Sequence, residues 1–402
     1  MFFNPLNKKA SFLSWWERRK VLNSSNKGLV LNGSNLKLSE NDSFTHLALF
    51  ARTGGGKTTS FIIPNILNRD NASMVITDPS GEIYKLTSGY LAQKGYKIKV
   101  INPTNLEQSL KYNPLSNANT HEEISEISKI LIKSANPSTN PSDEFWLSGA
   151  EKILTIIIKS LKNSPKKEFI NLANVKHLLN SFGAKLDDFI AKYADEITFN
   201  EYKGFLSGNE KTIQSFLSTA QISLNALSNP QIAKLLQSNE IEFKSLRDEK
   251  TALFITIPEQ KISYYSFLLN LLYTQLFNFC MEIPKDELKD KLPIYFLLDE
   301  FGHLAIPNFS SIITTIRKFK VSISIILQSM SQLETKYGRT EAETILNGGI
   351  NSKVFFSGAD LNTTQMLEKI LGRTITEQTN SKGYTQTKEK NLLNASSIRT
   401  LE

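Results

Sequence analysis

Residues 45–64 read THLALFARTGGGKTTSFIIP, and this stretch decides the fold. An apolar run at 47–50 is followed by a loop with three consecutive glycines, a Lys-Thr pair and an apolar segment that can continue as a helix. A strand, a glycine-rich loop and a helix in this order predict a phosphate-binding loop. The loop opens with Ala51 where the usual pattern has glycine, and alanine is small enough to keep the turn. A glycine-rich structural loop is the alternative interpretation.

The residue types in this loop match the chemistry of a nucleotide phosphate. Consecutive glycines allow backbone conformations closed to other residues, so successive N–H groups converge on an anion at the positive end of a helix. Lys57 is predicted to reach the terminal phosphates, and the Thr58 hydroxyl to coordinate Mg²⁺. ATP and Mg²⁺ are the predicted cofactors. The predicted nucleotide-binding residues are Thr53, Gly54, Gly55, Gly56, Lys57, Thr58 and Thr59.

A pair of carboxylates ends a predicted strand in the C-terminal half. The apolar run IYFLL at 294–298 is followed by Asp299 and Glu300. Adjacent acidic residues at the end of a buried strand are costly unless they have a role. Asp299 is predicted to hold Mg²⁺ through water, and Glu300 to polarise the attacking water as general base. A salt-bridged structural pair is the alternative.

Two further candidates flank the next predicted strand, VSISIIL at 321–327. Gln328 ends this strand, where its amide suits sensing of the terminal phosphate or orientation of water. A hydrogen bond at the sheet end explains Gln328 nearly as well. Arg317 lies on a predicted helix at 312–319, and its planar guanidinium suits phosphate charge, in trans at a subunit interface. A surface salt bridge is an equal alternative for Arg317.

The composition is that of a globular protein. Its 402 residues suffice for roughly two to three domains, each with its own core. Hydrophobic residues make up 40% and charged residues 21%, which excludes a disordered chain. The one cysteine, Cys280, excludes an internal disulfide, and with four scattered histidines no metal-ligand cluster is predicted. A reducing cytoplasmic location is the natural interpretation.

The net charge of +8 is unevenly spread. Residues 1–40 hold seven Lys or Arg against two Glu, which gives +5. This basic stretch also carries Phe12, Trp15 and Trp16, and it suits contact with an anionic membrane surface or nucleic acid. A solvated tail with a small hydrophobic anchor is an equal alternative. No transmembrane segment is predicted, because the most apolar window, 267–283, is interrupted by polar residues and suits a buried core helix.

The alternation of strands and helices predicts an α/β fold with a parallel sheet. From 117 to 245 helical periodicity takes over, which indicates an all-helical domain inserted into the α/β domain. The predicted organisation is a basic N-terminal segment at 1–27, a nucleotide-binding domain at 28–116 and 246–402, and an inserted all-α domain at 117–245. Further predicted elements are short strands at 28–50 with turns at 32–33 and 40–42, helices at 58–67 and 83–94, and strands at 73–77, 97–101 and 251–257.

Several motifs together resemble a known family. They are IIPNIL after the phosphate loop, DPSGE at 78–82, YNPL at 112–115, DEFWLSGAEKIL at 143–154, FLLDEFGHL at 296–304 and QSMSQLETKYG at 328–338. In this order they look like the VirD4/TraG group, the coupling ATPases of type IV secretion and conjugation. The resemblance covers roughly residues 28–401, and DPSGE and LLDEFGHL are more specific than a phosphate loop alone.

The resemblance implies a RecA-like P-loop ATPase domain that assembles into a homo-hexameric ring. Such rings pass single-stranded DNA, with its relaxase, or protein effectors toward a transmembrane channel, and the inserted all-α domain selects substrates. By matching motifs, Lys57, Thr58, Asp299, Glu300 and Gln328 carry over with the roles given above, and Arg317 as the arginine finger. Family members usually begin with transmembrane helices and continue past the position of Glu402. Because no transmembrane segment is predicted here, the chain is expected to be peripheral at the inner-membrane face, attached through a partner or through its basic aromatic N-terminus. A truncated fragment is one interpretation of its end.

Three functions are consistent with these patterns. The first is an ATP-driven motor that moves single-stranded DNA, and the modest basic charge agrees with phosphate contacts. The second keeps the ATPase but makes protein the cargo, as an effector receptor with little or no DNA translocation. The third is a nucleotide-gated receptor or scaffold that hydrolyses little.

Overall fold

Seven parallel strands form the central sheet. The computed structural model describes residues 10–31, 33, 35–52, 54–136, 143–284, 286–356, 360–379 and 385–400. Within these residues the sheet order is β3-β4-β2-β5-β6-β1-β7, and a separate antiparallel hairpin pairs β8 with β9. The strands are β1 Leu47–Phe50, β2 Ser73–Thr77, β3 Lys97–Ile101, β4 Thr251–Ile255, β5 Ile294–Leu298, β6 Val321–Leu327, β7 Ser352–Phe355, β8 Arg373–Thr379 and β9 Thr385–Asn391.

The position of β6 in the sheet determines which loops meet. β6 pairs in parallel with β5 on one side and with β1 on the other. β1, β2, β4, β5 and β6 are fully buried, as expected of strands covered on both faces, whereas β3 and β7 are partly exposed at the two edges. The carboxyl ends of β1, β6 and β5 therefore lie side by side, and the predicted parallel α/β sheet is confirmed.

Helices cover both faces of the sheet. Ala48 and Phe50 of β1 pack into one apolar cluster with α5, α6 and α13, and Leu47 and Leu49 into another with α3 and α4. The helices are α1 Trp15–Val21, α2 Glu40–Ser43, α3 Ile63–Leu67, α4 Glu82–Gln93, α5 His121–Ala135, α6 Glu144–Lys162, α7 Leu172–Asn180, α8 Ala184–Tyr193, α9 Glu196–Leu206, α10 Glu210–Ser223, α11 Pro230–Leu235, α12 Ser245–Asp248, α13 Ser266–Glu282, α14 Phe309–Thr315, α15 Met330–Glu343, α16 Leu361–Leu371 and α17 Ala395–Arg399.

Along the chain, a block of helices lies between β3 and β4, which are neighbours in the sheet. Eight helices, α5 to α12, lie between these strands, and no strand occurs in the described residues from 102 to 250. α5 begins with a capping box, in which Thr120 and Glu123 satisfy each other's backbone N–H groups. The helical character of the inserted stretch agrees with the sequence pattern, and the domain limits at residues 117 and 245 stay a prediction.

The apolar window at 267–283 forms helix α13 in the core. Eleven of its side chains are buried, including Asn270 and Thr274. In the part of the chain that the structure describes, every helix is too short or too polar to span a bilayer.

Two local predictions in the first fifty residues were wrong, and Asn32, in the turn predicted at 32–33, lies outside the described residues. The turn expected around residues 40–42 is the short helix α2, because Ser39 caps it by accepting a hydrogen bond from the Asp42 N–H at 3.0 Å. The strands expected before β1 are reduced to single antiparallel bridges, Asn23 with Lys37 and Val30 with Lys37. Asn65 holds this irregular segment in place, since its buried amide bonds both backbone groups of Val30 at 2.9 and 2.8 Å.

The helix after the phosphate loop begins with a wide turn. Residues Thr58–Ile62 are π-helical, and α3 follows. Pro64 has no N–H, so it cannot bond the carbonyl of Ser60, and the preceding Ile63 N–H instead bonds the carbonyl of Thr58 five residues back. The predicted helix at 58–67 is thus present with a local widening next to the phosphate loop.

Candidate functional site

The glycine loop leaves the end of β1 in conformations that need glycine. Ala51 extends the strand, because its N–H bonds the carbonyl of Leu327 at 2.9 Å. Gly54 and Gly56 have φ of 74° and 78°, in the left-handed region that other residues rarely adopt. A Cβ on Gly55 would lie 2.9 Å from the carbonyl oxygen of Arg52. The loop is therefore a tight turn that depends on glycine and lies at the start of a helix, as a phosphate site requires.

Lys57 points from this loop into a pair of buried carboxylates. Its Nζ lies 3.0 Å from Asp299 Oδ1 and contacts Glu300 Oε1. The three side chains are 13%, 8% and 9% exposed. Burial opposes the charge on Lys57, but the two carboxylates outweigh it and raise the pKa of the amine. Burial raises the pKa of Asp299, and Lys57 offsets part of this effect.

The sheet brings together residues that are far apart in the sequence. Lys57 and Glu300 are 243 positions apart. Lys57 follows β1 and Glu300 follows β5, and β6 alone separates these strands. Glu300 has φ of 53°, which is uncommon for a side chain of this size and carries backbone strain. Its N–H bonds Asp299 Oδ1 at 3.0 Å, so the turn aims both carboxylates at the loop.

Gln328 completes the cluster from the end of β6. Its Nε2 donates to Glu300 Oε2 at 3.1 Å. Its backbone N–H donates to the side chain of Gln332 at 2.8 Å. Gln332 was not predicted, and it also packs on Gly302, where a Cβ would lie 2.6 Å from its Oε1. Gln332 lies on α15, whereas Gln328 precedes this helix, so helical spacing did not predict the contact.

The remaining loop residues lie around the start of the π-helix. Thr58 is its first residue and is partly buried. Thr59 is exposed, and its hydroxyl donates to the carbonyl of Gly56 at 3.2 Å. Thr53 lies outside the described residues.

Arg317 does not join this cluster within one chain. The predicted helix at 312–319 is α14 followed by a 3₁₀ turn, Ile316–Phe319, and Arg317 is exposed on that turn. The turn leads into the start of β6, so Arg317 lies at the amino edge of the sheet, opposite the glycine loop. His46, at the start of β1, is its neighbour. Burial lowers the pKa of His46 to about 3, and the Arg317 charge acts in the same direction.

The DPSGE segment at 78–82 stabilises the start of the helix that follows it, α4. Asp78 is fully buried at the end of β2, and its carboxylate accepts the Tyr84 N–H at 2.8 Å and the Ser80 hydroxyl at 3.3 Å. Burial raises the pKa of Asp78, which these hydrogen bonds oppose. Asp78 thus fixes the start of α4.

Two side chains beside Glu300 were missed by the sequence analysis. His303 Nε2 lies 3.4 Å from Glu259 Oε1 and 4.0 Å from Glu300 Oε2. The three ligand-type atoms lie within 4.8 Å of one another, a set that the prediction of no metal-ligand cluster did not take into account. It considered only Cys and His, and a carboxylate from another strand end supplies the third member. Glu259 follows β4, whose carboxyl end was the available signal.

The fold and this cluster define a RecA-like P-loop NTPase domain. Its phosphate-loop strand and its Asp-Glu strand are separated by one strand, β6, and Gln328, the residue after β6, donates a hydrogen bond to Glu300.

The chain belongs to the family described as "Type IV secretory system Conjugative DNA transfer", which matches residues 7–400. The resemblance to the VirD4/TraG group is thereby confirmed.

Curated relatives agree with this family. The conjugal transfer protein TraG of Rhizobium radiobacter is 26% identical over 369 residues, covering 87% of this chain and 56% of TraG. The type IV secretion system-coupling protein VirD4 of Bartonella henselae is 24% identical over 371 residues, covering 87% of this chain and 57% of VirD4. The chain thus spans 56% to 57% of the length of these two relatives.

Solved structures show the same fold. The unbound bacterial conjugative coupling protein TrwBdeltaN70 superposes with a TM-score of 0.77 at 18% identity, over 98% of this chain and 88% of that chain. The plasmid coupling protein TrwB in complex with ADP and Mg²⁺ gives a TM-score of 0.77 at 17% identity, with the same coverage of 98% and 88%.

Removing Lys57 is expected to leave two buried carboxylates without their cation. We expect Lys57→Met to lower the free energy of unfolding of the nucleotide-free protein by about 3 kcal/mol. In an Asp299→Asn/Glu300→Gln background, Lys57→Met leaves no buried carboxylate without a cation. The free energy of unfolding is therefore expected to stay the same or to rise. Urea denaturation at pH 7 measures both. Equal losses in the two backgrounds would show that the ion cluster has no part in stability.

Proposed function

We propose that this chain is the ATP-hydrolysing motor domain of a type IV coupling protein, which drives single-stranded DNA with its relaxase, or a protein substrate, into a secretion channel. The observation that carries the proposal is the contact of Lys57 with Asp299 and Glu300 beside a glycine loop. The three residues come from two strands of one sheet edge, and together they provide a cation for phosphate, an acidic metal ligand and a base.

The residues at the loop fit a nucleotide with Mg²⁺. The glycine loop offers backbone N–H groups to the phosphates, and the stem of Lys57 is long enough to leave the carboxylates for the terminal phosphate. Thr58 and Asp299 would hold Mg²⁺, since a hydroxyl and a carboxylate are the oxygen ligands that this ion prefers. Bound Mg²⁺ supplies charge neutralisation on the phosphate oxygens. The TrwB structure with ADP and Mg²⁺ supports this assignment.

Glu300 is the proposed general base. It takes a proton from water as the water oxygen bonds the terminal phosphorus and the bond from phosphorus to the ADP oxygen breaks. The proton then passes from Glu300 to solvent. Gln328 holds Glu300 Oε2 at 3.1 Å, and it is placed to orient the water or to sense the phosphate.

Arg317 is proposed to act on a neighbouring subunit. It is exposed at the amino edge of the sheet, so it is turned away from the glycine loop of its own chain. In a homo-hexameric ring each subunit would present this edge to the carboxyl edge of the next, and the Arg317 guanidinium would stabilise the charge of the transferred phosphoryl group.

The proposed cargo is single-stranded DNA, and a protein effector is the second candidate. The relatives named for conjugal transfer favour DNA, and the net charge of +8 agrees with it. The VirD4 relative is named for secretion, which favours protein. We further propose that the all-α domain, at 117–245, selects the cargo, while residues 28–116 and 246–402 form the motor.

The base assignment predicts the behaviour of a single variant. Glu300→Gln removes the proton acceptor, so we expect at least about a hundredfold lower ATPase rate with ATP binding retained. Glu343→Gln, on the exposed part of α15, is the matched control and is expected to hydrolyse normally. Steady-state hydrolysis and fluorescent-nucleotide binding measure the two effects, with and without single-stranded DNA.

The same hydrolysis assay distinguishes the two candidate cargoes. Salt-sensitive stimulation of wild-type hydrolysis by single-stranded DNA supports the DNA motor. Stimulation by an effector protein alone supports protein cargo. Normal hydrolysis by Glu300→Gln would overturn the base assignment.

The trans role of Arg317 predicts complementation between inactive chains. Arg317→Ala and Glu300→Gln are each expected to be inactive as pure proteins. Mixed rings contain interfaces with an intact Arg317 facing an intact Glu300, so hydrolysis should return to roughly a quarter of the wild-type rate at equal mixing. Arg339→Ala, which changes an exposed arginine on α15, is the control and should be active alone. No recovery in the mixture would place Arg317 outside the reaction.

The N-terminal segment, 1–27, is proposed to attach the chain peripherally to the inner membrane. No side chain of α1 is buried, and Trp15 and Trp16 are 54% and 73% exposed. Arg18, Arg19 and Lys20 follow on the same helix, with the Arg19 guanidinium 4.4 Å from the Trp15 ring centre. Exposed tryptophans beside basic residues suit an anionic bilayer surface.

Vesicle binding measures this attachment. We expect the chain to sediment with vesicles that contain phosphatidylserine and less with neutral ones, and Trp15→Ala/Trp16→Ala to lower the bound fraction several-fold. Phe145→Ala/Trp146→Ala removes another exposed aromatic pair and is the matched control. An equal loss in both variants, or equal binding to neutral vesicles, would contradict a role of α1 in lipid binding.

A further inference from the structure

His303 and Glu259 face the carboxylate that the proposed function makes the general base. We infer that this pair positions Glu300 for hydrolysis, with His303 as the direct partner and Glu259 holding the imidazole. The inference rests on the proposed ATPase activity. Neither residue belongs to the phosphate loop or to the Asp-Glu pair, and they come from two different strand ends, after β5 and after β4.

The two oxygens of Glu300 have different kinds of partners. Oε1 contacts the Lys57 amine, which sits on a flexible stem and is the proposed ligand of the terminal phosphate. Oε2 accepts from Gln328 at 3.1 Å and lies 4.0 Å from His303 Nε2. When Lys57 turns to bind the phosphate, its contact with Glu300 Oε1 is lost. The contacts of Glu300 Oε2 with Gln328 and His303 remain. A base must hold its orientation at that moment, so these partners matter most during the reaction.

The imidazole nitrogen is placed to serve two carboxylates. Within the described residues His303 Nε2 is buried from water and makes no hydrogen bond, although it lies 3.4 Å from Glu259 Oε1. A buried donor without a partner is costly, so a small rotation toward either oxygen is favourable. An N–H at this nitrogen can donate to either carboxylate oxygen. In the inferred pair it donates to Glu300 while Glu259 attracts the same ring from the other side.

The backbone gives His303 a fixed relation to Glu300. Both lie in one tight turn, in which the His303 N–H bonds the Glu300 carbonyl at 3.1 Å. Glu259 belongs to a different segment, and its Oε1 lies 3.4 Å from the ring nitrogen, where we infer that it limits rotation of the imidazole. The side chains of His303 and Glu259 are 38% and 49% exposed, so neither is a core packing residue. Their arrangement is better explained by the carboxylate they face than by stability.

The first experiment separates positioning from binding and folding. We expect His303→Ala to lower kcat for ATP hydrolysis about tenfold, with KM and fluorescent-nucleotide affinity unchanged, because the base is misaligned but the phosphate site is intact. His303→Gln keeps a donor near the position of Nε2 and should recover most of the rate. His177→Ala, an exposed histidine on α7, is the matched control. Thermal midpoints of all variants are expected to agree.

The second experiment tests whether Glu259 acts through His303. Glu259→Ala is expected to lower kcat about threefold in the wild-type background and to have no further effect in His303→Ala. If the losses of kcat in the two single variants add up in the double variant, the inference that Glu259 acts through His303 is wrong. A loss of nucleotide affinity, a lowered thermal midpoint in His303→Ala, or no recovery in His303→Gln would overturn it as well. Hydrolysis that requires Zn²⁺ or Mn²⁺ and loses this requirement in His303→Gln would assign a metal site instead.

The outcomes also distinguish this inference from the function on which it rests. If the wild type hydrolyses ATP, Glu300→Gln does not, and His303→Ala matches the wild type, only the positioning pair is wrong. If the wild type binds ATP without hydrolysing it under any stimulation, the motor proposal and the positioning pair both fail.

Discussion

The candidate site depends on a charge contact that the order of the strands brings about. Lys57 and the Asp299–Glu300 pair are nearly buried, and each would be costly without the others. They meet because β6 lies between β1 and β5 and the three strands run the same way. A buried ion cluster is weak evidence for stability, since desolvation offsets much of its attraction. It is stronger evidence for function, because a chain selected only for stability has simpler ways to fill this edge of the sheet.

The two edges of the sheet carry residues of two different proposed sites, the chain's own site at the carboxyl edge and the neighbouring subunit's site at the amino edge. The glycine loop, Asp299 and Glu300 lie at the carboxyl edge, and Arg317 lies just before β6 at the amino edge. The seven residues of β6 span about 20 Å, too far for an arginine side chain to cross. If Arg317 takes part in the reaction, it must do so on another subunit. His46, at the start of β1, is fully buried at this amino edge, and Arg317 is close enough to lower the pKa of its imidazole further.

The sequence predicted the parts of the fold that depend on local pattern. Apolar runs gave β2, β3, β5 and β6 with their observed limits, and strand ends correctly placed Lys57, Glu300 and Gln328 together. β4 is shorter than predicted because its neighbour β3 ends at Ile101, so residues past 256 have no strand to pair with. Glu259 and His303 escaped prediction because their proximity depends on the order of β4, β2 and β5 in the sheet. The positive φ of Glu300 is likewise set by tertiary contacts, as its side chain favours other conformations.

A strained turn persists only where its surroundings fix it in several ways. Phe301, next to Glu300, is fully buried and packs on Phe309 and on Tyr337, with ring centres 4.8 and 5.9 Å apart. The Tyr337 hydroxyl accepts the Ile306 N–H at 3.0 Å, so α15 holds both ends of the segment. The carboxylates are thus mounted on a rigid turn, while the lysine that opposes them has a flexible stem. In the proposed reaction, motion therefore falls to Lys57, and Glu300 would be held by the partners on its other oxygen.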